Sequence, residues 1–167
     1  MGKTVQQVER RVKKSTKWLK LAMIVLAVIF LLLGIFITNG FMLFCFIFAG
    51  LYFWFDANAN LSYEYSYEDG IFTIDVIKAK RRRYTAHELK LDELEVLAPH
   101  DSDAVSAYRK GNGSRIRKFD YTSYDEEVPY YTMIITEDDE KIKLLLDLNE
   151  EMLFAMKQRR PMQVHIK

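Results

Sequence analysis

Residues 21–55 carry no charged side chain, and Thr38, Asn39 and Gly40 are the strongly polar or flexible break in that apolar run. A single helix of this length, rising ~1.5 Å per residue, would be roughly 50 Å long and would overshoot a hydrocarbon layer of about 30 Å. The run therefore folds back on itself. Asn39-Gly40 is a turn dipeptide in which the glycine can take a positive φ at little cost, so the pattern predicts a helical hairpin with arms at 21–38 and 41–55. The second arm is short for a span, so the bilayer thins there or the helix extends past Asp56 to Ala59.

Beyond Asp56 the pattern changes to alternating polar and apolar positions rich in Tyr, Ile and Val, which predicts strands. Segments 61–67 and 71–79 read as a hairpin around Glu68, Asp69 and Gly70, with Phe72, Ile74 and Val76 on one face. Strands are expected at 84–91 and 94–97, then a mobile polar loop over 101–114. Three more follow at 115–121, 130–136 and 141–148, the last turning Ile142, Leu144, Leu146 and Leu148 into the core. A helix over 149–160 is framed by Asn149 as N-cap, by Glu150 and Glu151 in its first turn, by Lys157, Arg159 and Arg160 in its last, and by Pro161 as its stop. Met152, Leu153 and Met156 supply its apolar stripe.

At 167 residues the chain accommodates one domain and an appendage. The near-neutral total hides an asymmetry: residues 1–20 hold seven Lys or Arg against one Glu, whereas 56–167 hold seventeen against twenty-two acids. The basic head comprises Lys3, Arg10, Arg11, Lys13, Lys14, Lys17 and Lys20. By the positive-inside bias it places the N-terminus in the cytoplasm, and two spans return the C-terminal domain there, giving a multi-pass protein of the cell membrane. Trp18 and Trp54, with Tyr52, would then share one interface. Ala57, Asn58 and Ala59 resemble a signal-cleavage site, but the apolar run is far longer than the about 7–15 residues of a signal core. The segment before residue 21 reads either as a surface helix with Val5, Val8 and Val12 on one side or as a disordered basic tail.

Sites for chemistry are sparse. His87-Glu88 begins like a zinc-protease motif but has no second histidine one helical turn on, and His87, His100 and His165 are scattered. Cys45 has no partner thiol in the chain. No phosphate loop or nucleophile elbow is present, so neither a catalytic residue nor a metal or cofactor is expected. Acidic runs at 125–127 and 137–140 read as solvated turns. One patch has a functional reading: Lys78, Lys80, Arg81, Arg82 and Arg83 form either a charged turn or a contact for anionic lipid headgroups. An acidic body without stacking aromatics beside that patch excludes nucleic acid as the expected partner.

Seven short strands and one closing helix resemble a pleckstrin-homology-like (PH-like) bent β-sandwich or barrel. The whole layout, with the stretches Leu94-Glu95-Val96-Leu97-Ala98-Pro99 and Leu148-Asn149-Glu150-Glu151, is similar to small two-span membrane proteins of clostridia-type bacteria that carry such a domain at 61–167 behind a hairpin anchor. The resemblance implies a mixed α+β fold and no catalytic residue. The expected function is a non-enzymatic, membrane-anchored binding or scaffolding module whose partners are the bilayer and an anionic lipid or a protein. The alternative is a structural subunit assembling into oligomers through its spans, at the small residues Gly34 with Ala27 and Gly50 with Ala49. A membrane enzyme is disfavoured, since the spans carry no ionisable group.

Overall fold

A computed structural model describes residues 3–79, 81–108 and 116–166. The apolar run forms two helices, α1 (Lys14–Phe36) and α2 (Met42–Ala59), joined through a 3-10 turn at Asn39–Phe41. At 1.5 Å per residue they are about 34 and 27 Å long, and both are long and apolar enough to cross a membrane. Helix α2 does run on past Asp56, and α1 begins well before Leu21. The turn falls at Asn39-Gly40 as expected, but Gly40 does not use the positive φ open to it: of the described glycines Gly70 alone has one. The reversal is made instead by Thr38 in extended geometry (φ −159°, ψ 140°), after which the 3-10 turn needs no left-handed residue.

The helices meet along their length. Phe30 packs against Phe41, Phe44 and Phe48 with centroids 5.3–6.3 Å apart. Near the turn, Gly34 lets the backbone of Met42 approach so closely that a β-carbon there would sit 2.7 Å from Met42 Cγ. At the opposite end Lys20 Nζ lies 2.6 Å from Asp56 Oδ1, closing the pair just outside the uncharged run.

The N-terminal segment overturns both sequence readings, helix and tail. Thr4–Glu9 is strand β1, paired antiparallel with β2 (Leu61–Glu68) so that Val8 faces Tyr63 and Gln6 faces Tyr65. The alternation explains why: Val8 is buried at 8 % exposure and Val5, on the other side of the strand, is 48 % exposed. Gln6 ties the strand to the far corner of the domain, donating from Nε2 to Asp147 O (2.7 Å) and accepting at Oε1 from Asn149 N (2.9 Å). Topologically the entire helical pair is therefore the connection between two neighbouring strands of one sheet, and a body drawn at 61–167 leaves out one of its strands.

That sheet has the order β1-β2-β3-β4, with β3 Ile71–Lys78 and β4 Arg82–Lys90. The second has the order β5-β7-β8-β6, from β5 (Leu94–Pro99), β6 (Arg117–Asp120), β7 (Tyr131–Glu137) and β8 (Glu140–Leu146); β6 runs parallel to β8. Phe72, Ile74 and Val76 meet Ile142, Leu144 and Leu146 in one core, which α3 (Glu150–Arg159) closes with Met152, Leu153 and Met156. Asn149 caps α3 as its sequence suggests, accepting from Met152 N at 2.9 Å. After α3 the chain returns to β5, where Leu97 N donates to Gln163 O and His165 N to Leu97 O.

The expected open loop over 101–114 is instead ordered in its first half. Asp103–Tyr108 is a 3-10 turn that drops Val105 onto Val96, Ala98 and Ile134, covering the outer face of the second sheet. This cover also buries Lys143, whose ammonium donates to Tyr108 O at 2.9 Å. Residues 109–114 lie outside the described part.

Candidate membrane-proximal site

Three connections converge where the helices enter the domain. Arg10 N donates to Leu61 O, so the exit of β1 lies beside the entry of β2. Ala79 N donates to Asn60 O at 2.9 Å, which places the turn between β3 and β4 at the foot of α2. Arg11 N donates to Ser123 O at 2.7 Å, which brings the segment before β7 against the start of α1. The links between helices and sheet are residues 10–13 and Asn60, too short to let the domain swing away.

The sequence-predicted basic cluster occupies this end but divides in two. Arg83 turns onto the sheet: its Nη2 lies 2.5 Å from Asp75 Oδ2 and 2.6 Å from Glu64 Oε1, and Thr85 Oγ1 donates to Asp75 Oδ1 at 2.8 Å. Burial works to raise the Asp75 pKa, yet the hydrogen bonds from Thr85 and Arg83 and the guanidinium charge prevail and hold it below the ordinary carboxylate range. Arg81 and Arg82 are exposed at the turn, and Lys78 Nζ sits 5.5 Å over the Tyr84 ring. Lys80 lies outside the described residues. Ala79 adopts φ 50°, a left-handed conformation held by its bond to Asn60.

A second basic group, read from sequence as a topology signal, is built into the domain. Arg10 Nη2 donates to Asp120 O at 2.8 Å, with its guanidinium 3.9 Å over the Tyr124 ring. Arg11 pairs with Asp125 at 2.5 Å, and Lys13 Nζ lies 4.5 Å from the centroid of the same Tyr124 ring. The signal that could have revealed this was charge complementarity between the basic head and the acids at 120–127, but without β1 in the right place nothing joined them. Next to these pairs opens a cleft of about 1200 Å³, lined by Lys14, Lys17, Lys118, Glu126 and Glu127 among others.

The histidines do not assemble. His87 is buried between the sheets, with Nδ1 2.8–2.9 Å from both Glu137 oxygens and its ring edge-on to Phe119 and Tyr121. His100 stacks on Tyr130 with Nδ1 2.9 Å from Thr132 Oγ1. Among the described residues no group of three His, Cys, Asp or Glu is placed to hold a metal ion. Gly34 is used inside the hairpin, whereas Gly50 has open space where a side chain would be.

The model of a family described as a bacterial PH-like domain (DUF6106) matches residues 5–166, beginning inside β1 and so spanning the helical pair as well as both sheets. No curated protein and no solved structure matches the chain.

Proposed function

The chain belongs to the bacterial PH-like domain family, and from that premise we propose that it is a binding or scaffolding module anchored by α1 and α2 at the cytoplasmic face of the cell membrane, with Lys78, Arg81 and Arg82 turned toward anionic headgroups. The observation that carries this reading is the convergence at the foot of the helices. The uncharged run ends at Lys20 and Asp56, Trp18 and Trp54 stand at the same end with their indoles exposed, and the turn carrying Arg81 and Arg82 is bonded to Asn60 directly below. Indoles and basic side chains at one level suit a headgroup boundary, and each Lys or Arg close to an anionic surface adds about 1 kcal/mol of attraction. The acidic remainder of the domain is repelled by the same surface, so these residues set which face looks at the bilayer. Arg83 contributes less, since Asp75 and Glu64 already neutralise it.

The experiment uses the full chain with Cys45→Ser and an environment-sensitive fluorophore at Ala79→Cys. Its emission is expected to shift to the blue in phosphatidylglycerol vesicles relative to phosphatidylcholine vesicles. High salt, or Arg81→Glu with Arg82→Glu, should abolish that shift. Identical emission in both lipids would remove the electrostatic reading and leave a protein partner for this face. Assembly through the spans is the second reading, favoured by the open surface at Gly50.

A further inference from the structure

We propose that the cleft between the start of α1 and the segment entering β7 holds the headgroup of one aminophospholipid, a phosphodiester bearing a protonated primary amine. This rests on the membrane placement above and deepens it, from a charged face near lipid to a slot for a single lipid molecule.

The cleft, at about 1200 Å³, has room for a glycerophosphate head and its amine, since small-molecule sites are typically roughly 300–1,000 Å³. Its charges are already partly spent. Asp125 is taken by Arg11, Asp120 by Arg10 and the Thr122 hydroxyl, and Asp147 accepts from Ser123 N. What remains without an oppositely charged partner among the described residues is Lys14, Lys17 and Lys118, together with the exposed Glu126 and Glu127, while Lys13 lies over the Tyr124 ring. Lysines without carboxylate partners and two carboxylates without basic partners line one cleft, so a phosphate can accept from the lysines and an ammonium can donate to the glutamates.

The source of that chemistry follows from the neighbouring surface. A smaller hollow of about 180 Å³ is lined by Lys14, Lys17, Trp18 and Leu21. These positions fall on one face of α1, and the two lysines belong to both spaces. The hollow shares Lys14 and Lys17 with the polar cleft and adds Trp18 and Leu21, the first residue of the uncharged run, so an acyl chain attached to the headgroup has an apolar surface beside it. A lipid without an amine leaves Glu126 and Glu127 unsatisfied, and a quaternary ammonium has no N–H to donate to them.

Full-length protein, delipidated in a mild non-ionic detergent, is exposed separately to dioleoyl-phosphatidylethanolamine, -phosphatidylglycerol and -phosphatidylcholine, and retained lipid is counted by native mass spectrometry. One phosphatidylethanolamine per chain is expected to be kept in preference to the other two. Lys14→Ala and Lys17→Ala should each weaken retention about fivefold, whereas Glu126→Gln with Glu127→Gln should erase the preference over phosphatidylglycerol. Equal retention of the three lipids, or a preference unchanged in the glutamate variant, overturns the proposal. Free O-phosphoethanolamine binding as strongly as the lipid would overturn the lipid assignment. Failure of the anchoring itself reads out separately, as extraction of the chain from native membranes by alkaline carbonate.

Discussion

Two valines three residues apart distinguish the strand β1 from any helix or tail at the N-terminus. In a surface helix Val5 and Val8 share a face, and in a disordered tail both are free, so aspartate at either position would act alike. In the sheet they part: Val8 is 8 % exposed opposite Tyr63, and Val5 is 48 % exposed opposite Ser66. Val8→Asp removes a buried side chain worth about 1.5–2 kcal/mol and sets a carboxylate where a polar group without partners costs about 1–3 kcal/mol more. A total of about 2.5–5 kcal/mol is a large part of the roughly 5–15 kcal/mol that holds a domain together. At about 4 °C per kcal/mol for a domain of this size, the midpoint should fall by roughly 10–20 °C. Val5→Asp should stay within about 0.5 kcal/mol of the parent. The assay is a thermal melt of the full chain in detergent followed by near-ultraviolet circular dichroism, which reports the packed tyrosines 63, 65 and 67. Equal midpoints for the two variants would refute the pairing of β1 with β2.

Other perturbations follow from the same contacts. Leu144→Asp places a charge at a fully buried position of β8 and should abolish the cooperative melt of the β domain. Asp75→Asn should lower the melting temperature at neutral pH; because the folded pKa is depressed, that stabilisation is present above the ordinary carboxylate range and disappears as pH falls through it, so the gap between parent and variant should close in acid melts. Gln6→Ala removes two hydrogen bonds to the β8–α3 corner and should cost about 1–3 kcal/mol in urea titration. Gly34→Leu forces the helices apart at the turn, where Met42 leaves no room, and should reduce disulfide formation between cysteines placed at Phe30 and Phe48 in a Cys45→Ser background.

Periodicity made much of this fold legible. The period-two runs at Phe72, Ile74 and Val76 and at Ile142, Leu144 and Leu146 face one core, because one face of each strand had to be apolar for the sheets to pack. Asn149, the flanking charges and Pro161 marked α3 to within a residue because caps are local chemistry. What escaped was non-local. Six residues of Thr4–Glu9 offer one buried valine, too little pattern to distinguish a strand whose partner lies beyond two helices. The order in Asp103–Tyr108 depends on an apolar outer face shared by β5 and β7, and Ile134 of β7 lies beyond any window around Val105. The basic cluster was found by composition, but its division was not, since Arg83 is claimed by Asp75 and Glu64 across the sheet. The Arg10–Tyr124 and Arg11–Asp125 contacts were hidden for the same reason, each joining residues more than a hundred positions apart.

The central claim, a two-span anchor holding the PH-like domain at the inner face, is tested most directly by thiol accessibility in intact cells. With Cys45→Ser as background, Asn39→Cys in the turn between α1 and α2 should react with a membrane-impermeant maleimide before lysis. Asp138→Cys, in the turn between β7 and β8, should react only after lysis. The reverse pattern, or two sites that both stay silent until the cells are opened, would contradict the account.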